Sequence, residues 1–153
     1  MAAFFQRGGG WVLGQFVFML AVAALGIITR DASKSRLCLP GGLVFFAASA
    51  ICGGAGLVSL GRNLTPFPKP AAGARLVQRG IYGLIRHPLY TAVICGAMGW
   101  WLFWQSRLAL AASLVLAIYL DAKARHEERW LRQHFPDYAN YQRRVKRFVP
   151  WIY

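Results

Sequence analysis

Long stretches of apolar residues without a charged side chain set the strongest limit on how this sequence folds. The first runs from Trp11 to Thr29 and the second from Leu39 to Leu60. Each is as long as the ~17–25 residues that a helix needs to cross a bilayer. Two more follow at about 89–105 and 108–124, the last being apolar as far as Leu120. We therefore expect one all-α integral membrane domain, residues 1–153, with about four transmembrane helices.

The composition supports this interpretation. Hydrophobic residues make up 57% of the chain and charged residues 15%, whereas a soluble domain carries roughly 25% charged residues. The net charge of +13 would suggest nucleic acid in a soluble protein. Here the basic residues lie between and after the apolar stretches, so we expect the lipid bilayer as a partner and no nucleic acid. The three cysteines form no CxxC or Cys/His cluster, so no metal site is predicted.

The distribution of basic residues predicts the orientation in the membrane. With four spans, 14 of the 18 Lys and Arg residues lie on one side and 4 on the other. The side that is richer in Lys and Arg faces the cytoplasm. Both termini and the polar segments 61–88 and 125–153 are therefore predicted to be cytoplasmic. A site formed by the two polar segments is predicted on that face.

Arg86, His87 and Tyr90 cluster at the start of the third apolar stretch, close to Tyr82. Pro88 is typical of the first position of a helix, so the positive end of a helix dipole is expected there. Such a helix start flanked by Arg and His suits a carboxylate or phosphate ligand. The alternative is a belt of aromatic and basic side chains at the headgroup level of the membrane.

A second group of charges follows the fourth apolar stretch. Asp121, Arg125 and Glu128 are spaced at i, i+4 and i+7 and share one helical face. The adjacent Glu127 and Glu128 point about 100° apart, so one of them is expected to reach a given pocket. A solvated helix with ion pairs would explain the pattern. A ligand with a cationic group would explain it too, because carboxylates are scarce in this basic segment.

In order along the chain, four patterns together resemble the isoprenylcysteine carboxyl methyltransferase family, and also the phospholipid N-methyltransferases. They are GxNLTP (61–66), LVxxGxYxxxRHPxY (76–90), the pair Glu127 and Glu128, and FPxYxxYxxRV (135–145). The resemblance implies a polytopic helical enzyme that transfers a methyl group from S-adenosylmethionine (SAM) and releases S-adenosylhomocysteine. It also implies a cofactor pocket at the cytoplasmic face.

The resemblance further implies roles for individual residues. Lys123 stands where the isoprenylcysteine enzymes have a substrate-binding arginine, with Arg125 nearby. Glu128 or His126 would act as a base if the acceptor arrives protonated. We therefore take Lys123, Arg125 and Glu128 as catalytic candidates. The implied cofactor-binding residues are Leu76, Val77, Tyr82, Arg86, His87, Pro88, Leu89, Tyr90 and Glu127.

The predicted function is SAM-dependent methyl transfer to a lipophilic acceptor at the membrane, the attacking atom being oxygen, nitrogen or sulfur. We expect the acceptor to enter from the bilayer near Gly53, Gly54 and Gly56, where side chains are missing. Two alternatives remain open. One is a membrane reductase that uses NADPH, similar to the sterol reductases. The other is a non-enzymatic membrane subunit.

Overall fold

The described part of the computed structural model, residues 5, 8–30, 38–65, 67, 73 and 75–153, is helical and contains no strand. Its α-helices are α1 (Gly9–Ile28), α2 (Cys38–Leu60), α3 (Pro88–Trp104), α4 (Arg107–His134) and α5 (Tyr138–Arg144). Short 3₁₀ turns cover Gly61–Asn63 and Gly80–Gly83. The proline-rich run at 65–70 lies mostly outside the described residues.

The sequence determines where α3 and α4 begin. Pro88 occupies the first turn of α3, where its missing N–H costs nothing. The Ser106 side chain caps α4 by accepting a hydrogen bond from the Ala109 N–H at 3.0 Å. Gln105 links the two helices in a left-handed conformation, with φ at 54°. The link is so short that α3 and α4 form an antiparallel hairpin.

Side-chain hydrogen bonds fix the directions of the other two long helices. The Tyr119 hydroxyl of α4 donates to the Trp11 carbonyl at the start of α1, at 2.9 Å. The Ser49 hydroxyl of α2 donates to the Ala92 carbonyl of α3, at 2.7 Å. A Cβ atom on Gly99 would lie 3.1 Å from the Gly42 carbonyl oxygen, so the backbones of α2 and α3 pass closely. The starts of α1 and α3 and the ends of α2 and α4 consequently share one end of the bundle, which we call the polar end.

Two helices, α1 and the segment Cys38–Asn63, are long and apolar enough to cross a membrane. Their large side chains face outward: Leu20 is 69% exposed and Val58 is 83% exposed. A core helix of a water-soluble protein would bury such side chains. The exposed apolar surface is therefore typical of helices that contact lipid.

The three glycines of α2 that the sequence suggested as an opening differ in their surroundings. A Cβ atom on Gly56 would lie 2.9 Å from Leu89 Cδ2, and one on Gly53 would lie 3.4 Å from Ala92 Cβ. Gly54 faces outward, with no atom within 4 Å of a built Cβ. Gly53 and Gly56 thus serve the close packing of α2 against α3, and acceptor entry near these glycines stays a prediction.

At the polar end, the segment after α5 pairs with the segment before α3. Ile85 and Lys146 form a parallel bridge. The N–H groups of Arg86 and His87 donate to the carbonyls of Lys146 and Arg147, at 2.8 and 3.1 Å. This pairing holds the backbone of residues 86–90, which we call the RHPLY motif, against residues 145–148.

Candidate active site

A cavity of about 420 Å³ opens at the polar end of the bundle. This volume lies within the ~300–1,000 Å³ that is usual for small-molecule sites. Side chains from all four long helices line it, together with the segments that follow α2 and precede α3. Among the predicted cofactor-binding residues, those that line the cavity are Leu76, Val77, Tyr82, Arg86, His87, Leu89, Tyr90 and Glu127.

Of the described residues that line the cavity, Glu127 is the only acidic one. Its Oε2 accepts a hydrogen bond from the Tyr90 hydroxyl at 2.7 Å and lies 3.9 Å from His87 Nδ1. The His87 ring stacks on the Tyr90 ring, with centroids 5.3 Å apart. One turn of α3 and one turn of α4 thus present an aromatic surface and a carboxylate to the same space.

Glu128 faces away from the cavity into a buried ion-pair cluster. Arg86 donates to Glu128 Oε1 from Nε and Nη2, both at 2.9 Å. His87 Nε2 lies 3.2 Å from the same oxygen, and Arg147 Nη2 and Gln142 Nε2 contact Oε2 at 3.2 and 2.9 Å. Because the Glu128 carboxylate only accepts hydrogen bonds, it favours a proton on His87 Nε2.

The charge state of this cluster follows from its contacts. Burial of Glu128 would raise the pKa of its carboxyl group, but the hydrogen bonds from His87 and Arg147 and the Arg86 charge outweigh it. The pKa of Glu128 therefore lies well below its usual range, and the group stays ionised. Burial, with a contribution from the Glu127 charge, raises the pKa of Tyr82, so this phenol keeps its proton.

Lys123 lines the cavity one helical turn before Glu127, on the same face of α4, and is 2% exposed. Its Nζ donates to Gln15 Oε1 at 2.6 Å and lies 5.0 Å from the centroid of the Tyr90 ring. The amide and the ring face stabilise the ammonium group without neutralising its charge. The cavity therefore presents a cation and the Glu127 carboxylate one turn apart on α4.

The remaining predicted residues lie elsewhere. Pro88 is buried at the start of α3 and does not line the cavity. Arg125 is exposed and pairs with Asp121 at 2.6 Å, outside the cavity. His126 stacks edge-on against Trp130, on another face of α4. The structure thus brings Lys123 to the cavity with Glu127, but not Arg125 or His126.

Two residues that shape this site, Gln15 and Arg147, were not predicted from the sequence. Gln15 is a polar side chain within the apolar stretch of α1, and such residues in apolar helices commonly face a functional interior. The position of Gln15 in the sequence therefore indicates that it faces the interior. Arg147 is one of many basic residues after α4, so nothing in the sequence distinguished it as a partner of Glu128.

The donor set suits an organic ligand better than a metal ion. Within the described residues, no group of three or more His, Cys, Asp or Glu side chains is arranged to hold a metal. Rings, a carboxylate, an ammonium group and a helix start instead offer contacts to a molecule that has aromatic, cationic and anionic parts.

The chain is similar to known proteins of one family and to two resistance proteins. The chain is 43% identical over 77 residues to a cobalt-zinc-cadmium resistance protein of Cupriavidus metallidurans, covering 49% of this chain and 35% of that protein. It is 39% identical over 77 residues to a nickel-cobalt-cadmium resistance protein of Alcaligenes xylosoxydans xylosoxydans, covering 49% of this chain and 36% of that protein. The aligned part thus spans about a third of these relatives. The sequence model of the phospholipid methyltransferase family matches residues 37–138, two thirds of the chain, and the protein belongs to this family.

Proposed function

We propose that the protein is a SAM-dependent methyltransferase that modifies a lipophilic acceptor at the membrane. The observation that carries the proposal is the hydrogen bond between Tyr90 and Glu127, at 2.7 Å. It joins the RHPLY motif of α3 to the glutamate pair of α4 at the wall of a cavity of ligand size. Membership of a methyltransferase family supports the reaction class.

The cavity residues fit the chemical groups of SAM. Glu127 suits the ammonium group or the ribose hydroxyls, because its carboxylate faces the cavity. The start of α3 with the His87 ring suits the SAM carboxylate. The faces of Tyr82 and Tyr90 suit the adenine ring or the sulfonium, a cation–π contact worth roughly 0.5–2 kcal/mol.

Arg86 has a structural role in this arrangement. Its Nε and Nη2 atoms bind Glu128, and Nη1 binds the carbonyls of Gln142 and Val145. Glu128 in turn holds His87, so both charges position the ring at the cavity wall. An ionised and fully paired Glu128 is a poor base, and we assign it this positioning role.

SAM supplies a methyl group on a sulfonium, which is already activated for displacement by a nucleophile. The protein's contribution is to hold both reactants in line, an effect worth up to ~7–11 kcal/mol. Aromatic and aliphatic side chains make up most of the cavity lining and would limit the access of water to a bound ligand. Lys123, with Gln15, faces the same space and is placed to orient the polar end of an acceptor.

An apolar acceptor has a route to this space from the bilayer. Phe16 of α1 and Leu64, after α2, both line the cavity, yet they are 56% and 49% exposed. Phe16 lies on α1 and Leu64 lies just beyond the end of α2, and these two helices carry the most exposed apolar surface. We place the acceptor route between these two side chains.

The proposed membrane arrangement has four spans, α1, α2, α3 and the apolar part of α4, with the polar end in the cytoplasm. The hydrogen bonds that join α1 to α4 and α2 to α3 as antiparallel pairs support this arrangement. The excess of basic residues at the polar end supports it too. Under this arrangement SAM enters from the cytoplasm and the acceptor from the lipid.

The alternatives make different demands on the cavity. NADPH would require arginines around its 2′-phosphate, and the two arginines of the described lining are Arg75 and Arg86. Arg86 is already paired with Glu128. Binding of S-adenosylhomocysteine, SAM and NADPH to detergent-purified protein decides the matter by calorimetry. We expect S-adenosylhomocysteine to bind and NADPH not to bind; the reverse would support the reductase, and no binding at all would support a non-enzymatic subunit.

Transfer itself is tested with radiolabelled SAM and extracted lipids, prenylcysteine analogues and long-chain thiols. We expect label in at least one apolar acceptor. Lys123→Met is expected to reduce this transfer while leaving S-adenosylhomocysteine affinity within about two-fold, because Lys123 is assigned to the acceptor. Equal loss of both would instead assign Lys123 to the cofactor.

A further inference from the structure

The residues after Arg147 form a closed turn whose backbone is tied together by hydrogen bonds. The N–H groups of Phe148 and Val149 donate to the Tyr153 carbonyl at 2.7 and 2.8 Å. The Ile152 N–H donates to the Val149 carbonyl at 3.2 Å. We call residues 148–153 the tail turn.

Side-chain hydrogen bonds attach the tail turn to two long helices. The Thr91 hydroxyl in the first turn of α3 donates to the Phe148 carbonyl at 3.1 Å. The Tyr153 hydroxyl lies 3.1 Å from Asp121 Oδ1 of α4. Asp121 is the first charged residue after the apolar part of α4, and Thr91 follows the polar segment that precedes α3. Both attachment points therefore mark the level at which these helices change from apolar to polar surroundings.

The tail turn directs large apolar side chains outward at that level. Trp151 is 84% exposed and Ile152 is 77% exposed. Trp151 also adopts a left-handed conformation, with φ at 61°, which costs a residue other than glycine about 1–2 kcal/mol. The backbone is thus held in an unfavourable conformation while the side chain is presented outward.

The chemistry of this surface matches the headgroup region of a bilayer. Tryptophan prefers the boundary between headgroups and acyl chains. Arg144 and Lys146, which lie just before the tail turn, are exposed, and cations at this position attract anionic lipids. An apolar pair beside exposed basic residues is the pattern of a segment that inserts into a membrane surface.

We propose that the tail turn is a membrane-surface anchor, which inserts Trp151 and Ile152 into the leaflet that borders the polar end. The proposal rests on the four-span arrangement given above and adds a contact outside the spans. Arg147 directly precedes the tail turn and binds Glu128. A tail turn held by lipid would therefore also hold the ion-pair cluster that positions His87.

The test uses spin labels on single cysteines in full-length protein that carries Cys38→Ser, Cys52→Ala and Cys95→Ala. The test site is Ile152→Cys. The lipid control is Leu20→Cys in α1, and the water control is Arg143→Cys in α5, since all three side chains are exposed. In vesicles of phosphatidylcholine and phosphatidylglycerol, accessibility to oxygen relative to a water-soluble nickel chelate reports depth.

We expect the oxygen-to-nickel ratio at Ile152→Cys to lie below that at Leu20→Cys in mid-span and to exceed that at Arg143→Cys by about three-fold or more. A ratio equal to that of Arg143→Cys would overturn the anchor. Low accessibility to both reagents would also overturn it, since a protein partner would then cover the turn.

The controls separate this proposal from those on which it rests. If Leu20→Cys reports water, the membrane arrangement fails and the anchor fails with it. If Leu20→Cys reports lipid and Ile152→Cys does not, only the anchor fails. Calorimetry with S-adenosylhomocysteine on the same variants checks the proposed cofactor site independently of the depth measurements.

Discussion

Glu127 and Glu128 are adjacent in α4, yet their carboxylates have separate surroundings. Glu127 accepts a hydrogen bond from the Tyr90 hydroxyl at the cavity wall. Glu128 instead binds Arg86, Arg147 and Gln142 in a buried cluster. The angle of about 100° between neighbouring helical residues accounts for this division. The Glu127 carboxylate is available to a ligand, and the Glu128 carboxylate holds Arg86 and His87 in place at the cavity wall.

Replacing Glu127 with Gln tests its assignment to the cofactor. A hydrogen bond to a charged group contributes ~1.5–3 kcal/mol, so we expect S-adenosylhomocysteine affinity to fall roughly ten- to a hundred-fold. Calorimetry measures this. Asp137→Asn is the matched control, because Asp137 is exposed and outside the cavity lining. Unchanged affinity in Glu127→Gln would show that the carboxylate does not hold the cofactor.

Replacing Glu128 with Ala tests the supporting cluster. The change leaves the buried Arg86 guanidinium without its counterion, which typically costs ~3–5 kcal/mol. We expect a clear fall in the thermal unfolding midpoint in detergent. Replacing Asp137 with Ala should have little effect, since that carboxylate is exposed. If both variants unfold at the same temperature as the wild type, the cluster does not contribute to stability.

Acid should weaken the fold through the same carboxyl group. Burial opposes ionisation of Glu128, but its basic partners lower its pKa below the ordinary value of about 4.3. A group with a depressed pKa stabilises the fold above its unfolded pKa, and the stabilisation is lost as pH falls through the folded pKa. The wild-type melting temperature should therefore drop below about pH 4. Glu128→Gln should show a smaller drop, and parallel curves would contradict this account.

A pair of glycines tests the packing of α2 against α3. In Gly99→Ala the new Cβ would lie 3.0 Å from Phe46 Cδ1 and 3.1 Å from the Gly42 carbonyl oxygen. We expect destabilisation, although Ala is favoured over Gly in a helix by about 1 kcal/mol. Gly54→Ala meets no atom within 4 Å and should leave the melting temperature equal or higher. Destabilisation by Gly54→Ala alone would mean that the helices pack through another face.

Cysteine labelling tests the proposed orientation. Arg107 lies at the link between α3 and α4, and Ala139 lies in α5, and both are exposed. In the cysteine-free background, an impermeant maleimide added outside intact cells should label Arg107→Cys. It should label Ala139→Cys only after the cells are permeabilised. Labelling of Ala139→Cys in intact cells would place the polar end outside the cytoplasm.

The sequence predicted the helical stretches well because apolar length and proline position act locally. The start of α3 at Pro88 and the cap of α4 at Ser106 depend on neighbouring residues alone. The two halves of the candidate site were predicted through family resemblance. Their meeting, as in the bond between Tyr90 and Glu127, depends on how α3 and α4 pack.

Contacts between distant charges were beyond sequence reasoning. Arg86 and Arg147 are two of 18 basic residues, and nothing local marks them as partners of Glu128. The contact between Gln15 and Lys123 depends on the rotation of α1 against α4. Such choices follow from the packing of whole helices, which no short pattern encodes.

The parallel bridge between Ile85 and Lys146 also has a consequence for the order of assembly. The backbone of the RHPLY motif is held by carbonyl groups about 60 positions later in the chain. During synthesis, the motif leaves the ribosome well before those carbonyls exist. Closing so large a loop is entropically costly, and its contacts form only after the intervening helices pack. A growing chain that has inserted its apolar helices thus still lacks a finished ligand pocket, which forms only once translation has passed Arg147.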